Sequence, residues 1–327
     1  MKRDHLREPP VIQEHHVSLP DQLGRILGAD RAHARKITGR GVRVAVIDSG
    51  FYPHPFYLAR GYRIRHIPTR KERNPNVDEY GHGTAQLASL FAVAPEVEAL
   101  AIKCMDRDPS YALEKAIALR PDILSCAWGF NIDHDEQGAS PRPRPVPSQY
   151  VKMQRLIREA HDQGITVVAA GGNGQFAFPG SMPEVIAAGG IYYAPDGKFY
   201  PSDISSRFES SFFPGRMVPD LCGIVGDLPH GRLLLVPVPP KAKLARRPGF
   251  ATTAMGGASD VGSGWAMFSG TSAATAMISG ACALLLQYSP KLSPRRIKEI
   301  LMDGARLLPQ SGCRLLDVDG ALRSIIG

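Results

Sequence analysis

The stretch Val42-Arg43-Val44-Ala45-Val46-Ile47-Asp48-Ser49-Gly50 decides the fold class. Its near-continuous run of β-branched and small apolar residues suits a strand buried on both faces, as in a parallel sheet. The run stops at a carboxylate, and the carboxyl end of a central strand is where an α/β sheet places its chemistry. Asp48 alone reads equally well as a strand-end turn former. The surrounding chain has to decide between the two.

Working outward, further strands are expected over 97–102, 122–129, 165–170 and 185–189, with helices around 29–37, 86–91, 111–119 and from Ser148 to Gly164. This alternation predicts an α/β architecture, a mostly parallel sheet covered by helices on both faces. Ser293-Pro294 reads as an N-cap followed by proline at the first helical position of the last helix. Residues 1–28 are polar and weakly patterned and read as an N-terminal arm. Residues 29–327 read as one domain without internal repeats. A proline-rich surface loop is expected over 131–147. An insertion of about 226–264 breaks the rhythm, and the prolines of Leu233-Leu234-Leu235-Val236-Pro237-Val238-Pro239-Pro240 place its strand at an edge.

Composition excludes several classes. With 327 residues, 43% hydrophobic and 21% charged, the chain is an ordinary globule. Five cysteines, odd in number and without a Cys-x-x-Cys pair, argue for buried free thiols and a reducing compartment. The N-terminus lacks the apolar core of a signal peptide, and the apolar run after Ser272 is too rich in glycine and small residues for a membrane span. A cytoplasmic location without a membrane partner is therefore expected. The net charge of +8 is dispersed, apart from Lys241-Ala242-Lys243-Leu244-Ala245-Arg246-Arg247, and no nucleic-acid motif surrounds that run. No nucleic-acid partner is expected.

Three more stretches bear chemistry. In Tyr80-Gly81-His82-Gly83-Thr84 a histidine flanked by glycines opens a helix, leaving room for a partner. In Gly171-Gly172-Asn173-Gly174 glycines on both sides of an asparagine allow close backbone approach to a ligand. In Phe268-Ser269-Gly270-Thr271-Ser272-Ala273-Ala274-Thr275-Ala276 a serine sits at the mouth of an all-round apolar helix, on the positive end of its dipole. Singly these are a structural histidine, a turn asparagine and an N-cap serine. Jointly they fill every role of serine acyl transfer: Ser272 as nucleophile, His82 as general base, Asp48 to orient the imidazole, and Asn173 with the Ser272 backbone N–H as oxyanion donors.

In the order Asp, His, Ser, with the asparagine between histidine and serine, these motifs resemble the subtilisin-like serine proteases (subtilases, peptidase family S8). The resemblance runs over roughly residues 40–305, as judged from the motifs, and extends to His54-Pro55-Phe56 and Val218-Pro219-Asp220. It implies a three-layer fold with a seven-stranded, mostly parallel sheet, and a serine endopeptidase acting on protein or peptide through an acyl-enzyme on Ser272. It also implies that Ala127, Trp128 and Gly129 pair with an extended substrate. Gly129, Ala170, Gly171 and Ala177 would line the pocket for the side chain before the scissile bond. Their small uncharged side chains predict a hydrophobic preference. Trp128 would wall an outer pocket, or else be a core tryptophan.

Three departures stand out. Ala276 replaces the proline usual four residues after the nucleophile, with a small effect expected from so good a helix former. Too few residues precede the Asp48 strand for the usual folding propeptide. Many relatives bind calcium, yet the nearest candidate loop, Asn74-Pro75-Asn76-Val77-Asp78, offers one carboxylate, which is weak for a hard cation. No cofactor is expected and no metal ligand is named, calcium staying open because no site for it is identifiable from the sequence. Without signal peptide or propeptide, a dedicated maturation protease is favoured over a digestive one. The alternative is a pseudoprotease that binds peptides without turnover.

Overall fold

The computed structural model of the chain describes residues 6–10, 16–131, 145–227, 230–246, 264–309 and 311–326. In chain order the elements begin with β1 (His16–Ser18), α1 (Asp21–Ile26), α2 (Ala29–Ala34), β2 (Arg43–Asp48), α3 (Pro55–Arg60), β3 (Arg63–Ile67), α4 (His82–Val93) and β4 (Glu98–Lys103). They continue with α5 (Ser110–Ala118), β5 (Ile123–Cys126), β6 (Phe130–Asn131), α6 (Ser148–Asp162), β7 (Thr166–Ala170), β8 (Ala177–Phe178) and β9 (Val185–Tyr193). Next come β10 (Phe199–Pro201), β11 (Phe208–Glu209), β12 (Met217–Val218), β13 (Leu221–Ile224), β14 (Leu233–Pro237) and β15 (Trp265–Phe268). The chain closes with α7 (Thr271–Tyr288), α8 (Pro294–Asp303), β16 (Arg306–Leu308), β17 (Cys313–Leu315) and α9 (Val318–Ile326).

The large sheet runs β16-β17-β13-β9-β7-β5-β2-β4-β3, with β10 paired to β9. From β3 to β13 its seven strands are all parallel. β17 extends the parallel run by a single pairing, Cys222 with Leu315, and β16 closes it antiparallel. The architecture is the α/β, three-layer one expected.

β2 shows how the sequence makes the layers. Val44 and Val46 enter one hydrophobic cluster together with Leu87 and Leu90 of α4 and Met277 and Ile278 of α7. Ala45 and Ile47 enter the other, with Leu113 and Ile117 of α5 and Leu156 and Ile157 of α6. Successive side chains of a strand point to opposite faces, so an uninterrupted apolar strand has to be covered twice. On α7 all sixteen residues from Thr271 to Leu286 are buried, as its composition requires.

Elsewhere the structure departs from the sequence reading. From His16 onward the N-terminal segment is part of the fold: β1 pairs parallel with β14, and Val17, Leu19, Leu23 and Leu27 join the main core. β14 is the middle strand of a three-stranded sheet, not an edge. Its proline is tolerated because β1 pairs only with Leu233, Leu234 and Leu235, so Pro237 lies past the end of that ladder and needs no N–H there. The helix at Ser293 is capped as expected, with Ser293 Oγ accepting from the Arg296 N–H, but α9 follows it. Most of the proline-rich loop, the end of the basic run and the glycine-rich 256–263 lie outside the described residues. No described helix is long and apolar enough to cross a membrane.

Candidate active site

Asp48 ends β2 and His82 begins α4. His82 Nδ1 lies 2.7 Å from Asp48 Oδ1, which also accepts the Ser49 N–H at 2.7 Å. An ionised carboxylate cannot donate, so Nδ1 carries a proton, and in the neutral ring Nε2 then presents its lone pair. Asp48 is 4% exposed, and its Oδ2 is buried without a partner among the described residues.

Two local devices bring these ends together. A Cβ added at Gly83 would fall 2.3 Å from the Gly50 carbonyl oxygen and 2.9 Å from Asp48 Cβ, so glycine is what lets the helix start dock on the strand end. Behind them, Asp78 accepts four hydrogen bonds: from Ser49 Oγ (2.8 Å), the Gly81 N–H (2.8 Å), the Thr84 N–H (2.9 Å) and Thr84 Oγ1 (2.6 Å). Ser49 Oγ in turn accepts the Gly83 N–H. Burial pushes the Asp78 carboxyl above its ordinary pKa, against those four bonds, which lower it. Both oxygens of Asp78 are thus turned inward onto donors of the chain itself.

Ser272 is the second residue of α7, whose cap is Gly270, so its hydroxyl is not a helix cap. That hydroxyl donates to the Ala127 carbonyl at 2.7 Å. Asn173 follows β7. Its Oδ1 accepts from the Thr271 N–H at 2.9 Å and from Thr271 Oγ1 at 3.0 Å, which commits the oxygen and leaves the NH2 end of the amide for a ligand.

Asp48, His82, Asn173 and Ser272 share one cavity of about 440 Å³. One wall is Ala127, Trp128, Gly129 and Phe130, and Ala170, Gly172 and Ala177 contribute small surfaces. Gly129 has to be small, since a Cβ there would meet Ala177 Cβ at 2.7 Å. Trp128 lines the cavity and is also anchored, its indole N–H donating to the Ile47 carbonyl at 2.9 Å. Gly171 is not among the lining residues: its N–H bonds the Ala188 carbonyl at 2.8 Å, and a Cβ there would meet that same oxygen at 2.9 Å.

The sequence reading passed over Cys104, Met105, Asp106 and Pro109, which also line the cavity. These residues follow β4, the neighbour of β2, and the strand-end rule that singled out Asp48 points at them too. It also passed over Asp78 as the hub of the site, and Gln86, whose Nε2 lies 3.4 Å from His82 Nε2.

The profile of the Subtilase family (Peptidase_S8) matches residues 39–320. Serine protease AprX of Bacillus subtilis (strain 168) is 28% identical over 311 residues, which are 83% of this chain and 63% of AprX. The chain thus spans less than two thirds of that relative. Subtilisin E of the same strain is 24% identical over 97% of this chain and 74% of its own length. Among solved structures, the prenylagaramide maturation protease PagA superposes with a TM-score of 0.64 at 21% identity, covering 92% of this chain and 99% of PagA. The nisin leader peptidase NisP of Lactococcus lactis gives 0.65 at 17%, covering 93% of each. The profile match covers most of the chain, and the chain therefore belongs to the subtilase family of serine proteases.

Proposed function

We propose that this chain hydrolyses peptide bonds through an acyl-enzyme on Ser272, with His82 as general base and Asp48 as the group that orients and charge-stabilises the imidazole. The observation that carries the reading is the 2.7 Å Asp48–His82 contact opening into the cavity that holds Ser272. His82 Nε2 takes the hydroxyl proton as Ser272 Oγ attacks the substrate carbonyl. The oxyanion is met by the NH2 of Asn173 and the backbone N–H of Ser272, at the positive end of α7. His82 returns the proton to the leaving amine, and water then hydrolyses the ester. Every group in this sequence belongs to the chain itself.

The substrate would lie extended along the wall at Ala127–Gly129, in the cavity that Cys104, Met105 and Asp106 also line, its last side chain among Gly129, Ala170 and Ala177. Small apolar surfaces there favour a hydrophobic residue. Within this reading the chain is a dedicated maturation protease of a reducing compartment, in keeping with its five free cysteines and with the maturation and leader peptidases among its structural neighbours. Incubation with a panel of unrelated proteins and a peptide library tests both levels. Cleavage of a narrow set of peptides, abolished by Ser272→Ala, is expected. Broad digestion would contradict the dedicated role, and no hydrolysis of any member would contradict the protease reading.

A further inference from the structure

One turn beyond His82, on the same face of α4, stands a second polar side chain inside the core. Gln86 is 1% exposed, and Ala85, Leu87 and Ala88 around it on the helix are apolar and buried. Its Nε2 lies 3.4 Å from His82 Nε2, and its Oε1 is buried with no partner among the described residues. A buried amide left half satisfied is costly, and an aliphatic side chain would fill the space without that cost. Gln86 therefore calls for a state of the protein in which its oxygen has a donor.

The reaction supplies that state. In the resting ring Nδ1–H serves Asp48, so Nε2 is an acceptor and the NH2 end of Gln86 is the right partner. Once the Ser272 proton reaches Nε2, that atom becomes a donor, and two N–H groups would face each other. Rotation about the last side-chain torsion, which is broad for an amide, brings Oε1 to the imidazolium instead. The N⁺–H···O bond then formed is charge-assisted and roughly twice as strong as a neutral one. The balance therefore favours the protonated ring.

We infer that Gln86 is a positioning residue for the reaction, its amide donating to the neutral His82 ring and, after turning over, accepting from the imidazolium until Nε2 passes its proton to the leaving amine. The inference rests on the proposed triad. Other groups around the ring are Asp48 from β2, Tyr80 from the loop before α4, with ring centroids 6.2 Å apart, and Phe268 from β15 at 5.7 Å. Cys104 and Asp106 line the cavity from beyond β4.

The test is the pH dependence of inactivation by a fluorophosphonate probe, measured on the full chain as wild type, Gln86→Met and Gln86→Glu. The midpoint of the acid limb reports the free general base. Gln86→Met, which keeps the volume and loses the amide, is expected to move that midpoint down by about half a pH unit or more, and Gln86→Glu to move it up by about one unit. A purely structural glutamine would change the melting temperature and leave the Gln86→Met midpoint in place, whereas a carboxylate at this distance raises the midpoint in either case. That result, or an upward shift in Gln86→Met, overturns the inference while the triad stands. Should Gln86→Met fail to fold, Gln86→Leu takes its place and is read in the same way, an unmoved midpoint overturning the inference. A folded wild type that does not react overturns the triad itself.

Discussion

The Ser272 hydroxyl donates to the main-chain carbonyl of Ala127 at 2.7 Å. A hydroxyl has one proton, so in this arrangement that proton is not given to His82. The same carbonyl lies on the wall along which an extended substrate would add as a strand. A substrate N–H bonded to Ala127 would displace the hydroxyl and turn it toward the imidazole. Peptides N-methylated at the residue before the scissile bond should then be cut about tenfold more slowly or worse, the worth of one hydrogen bond. Equal kcat/KM for the methylated and parent peptides would count against this role of Ala127.

Asn173 is aimed by Thr271, which gives both its N–H and its hydroxyl to the amide oxygen. Asn173→Ala should lower kcat by about 10²–10³, with little change in KM, a range established on subtilisin, a relative of this chain. Thr271→Val keeps the N–H bond and loses the hydroxyl, so a smaller fall in kcat is expected. Steady-state kinetics on one peptide would separate the two, and an unchanged kcat in Asn173→Ala would remove it from the oxyanion site.

Asp78 ties the end of β2 to the start of α4 through four accepted hydrogen bonds. Asp78→Ala strands all four donors and should cost at least about 3 kcal/mol of stability, as well as most of the activity. Asp78→Asn retains one acceptor oxygen and should lie between. Denaturant midpoints measured beside peptide hydrolysis check this. A stable Asp78→Ala with normal activity would show that the two ends need no such tie.

His54 is fully buried beneath Trp265 at 5.5 Å between ring centroids. Its Nδ1 accepts the Phe56 N–H and its Nε2 donates to the Gly264 carbonyl. Burial pulls its pKa down to about 4. An unfolded histidine binds a proton near 6.5, so the folded state is favoured while the ring is neutral. That contribution is complete above about pH 6.5 and is lost as pH falls toward 4, to the extent of about 3 kcal/mol. His54→Gln cannot titrate, and its stability should fall less steeply than wild type between pH 6.5 and 4. Parallel slopes for the two proteins would contradict this.

The central sheet and the candidate triad were legible in the sequence because each leaves a local mark. β2 is an unbroken apolar run ending in a carboxylate, His82 and Asn173 stand between glycines, and Ser272 precedes an apolar helix. The pairing of β1 with β14 joins residues more than two hundred positions apart, and three residues of mixed polarity carry no sign of it. The middle position of β14 was hidden by Pro237, whose harmlessness depends on where β1 stops. Gln86 escaped notice and Asp78 was read only as the carboxylate of a candidate cation loop, because a glutamine in an apolar helix and an aspartate in a loop are ordinary until their partners are known. Gly171 reads like its neighbours Ala170 and Gly172, and only the three-dimensional backbone shows it turned onto the Ala188 carbonyl.

The most direct measurement on the central claim is intact-protein mass spectrometry after treatment with a fluorophosphonate, on wild type and Ser272→Ala. Activation of Ser272 by His82 predicts one adduct per wild-type chain, mapped to the peptide containing Ser272, and none in the variant. A correctly folded wild type left unmodified, or an adduct that persists in Ser272→Ala, would contradict the account.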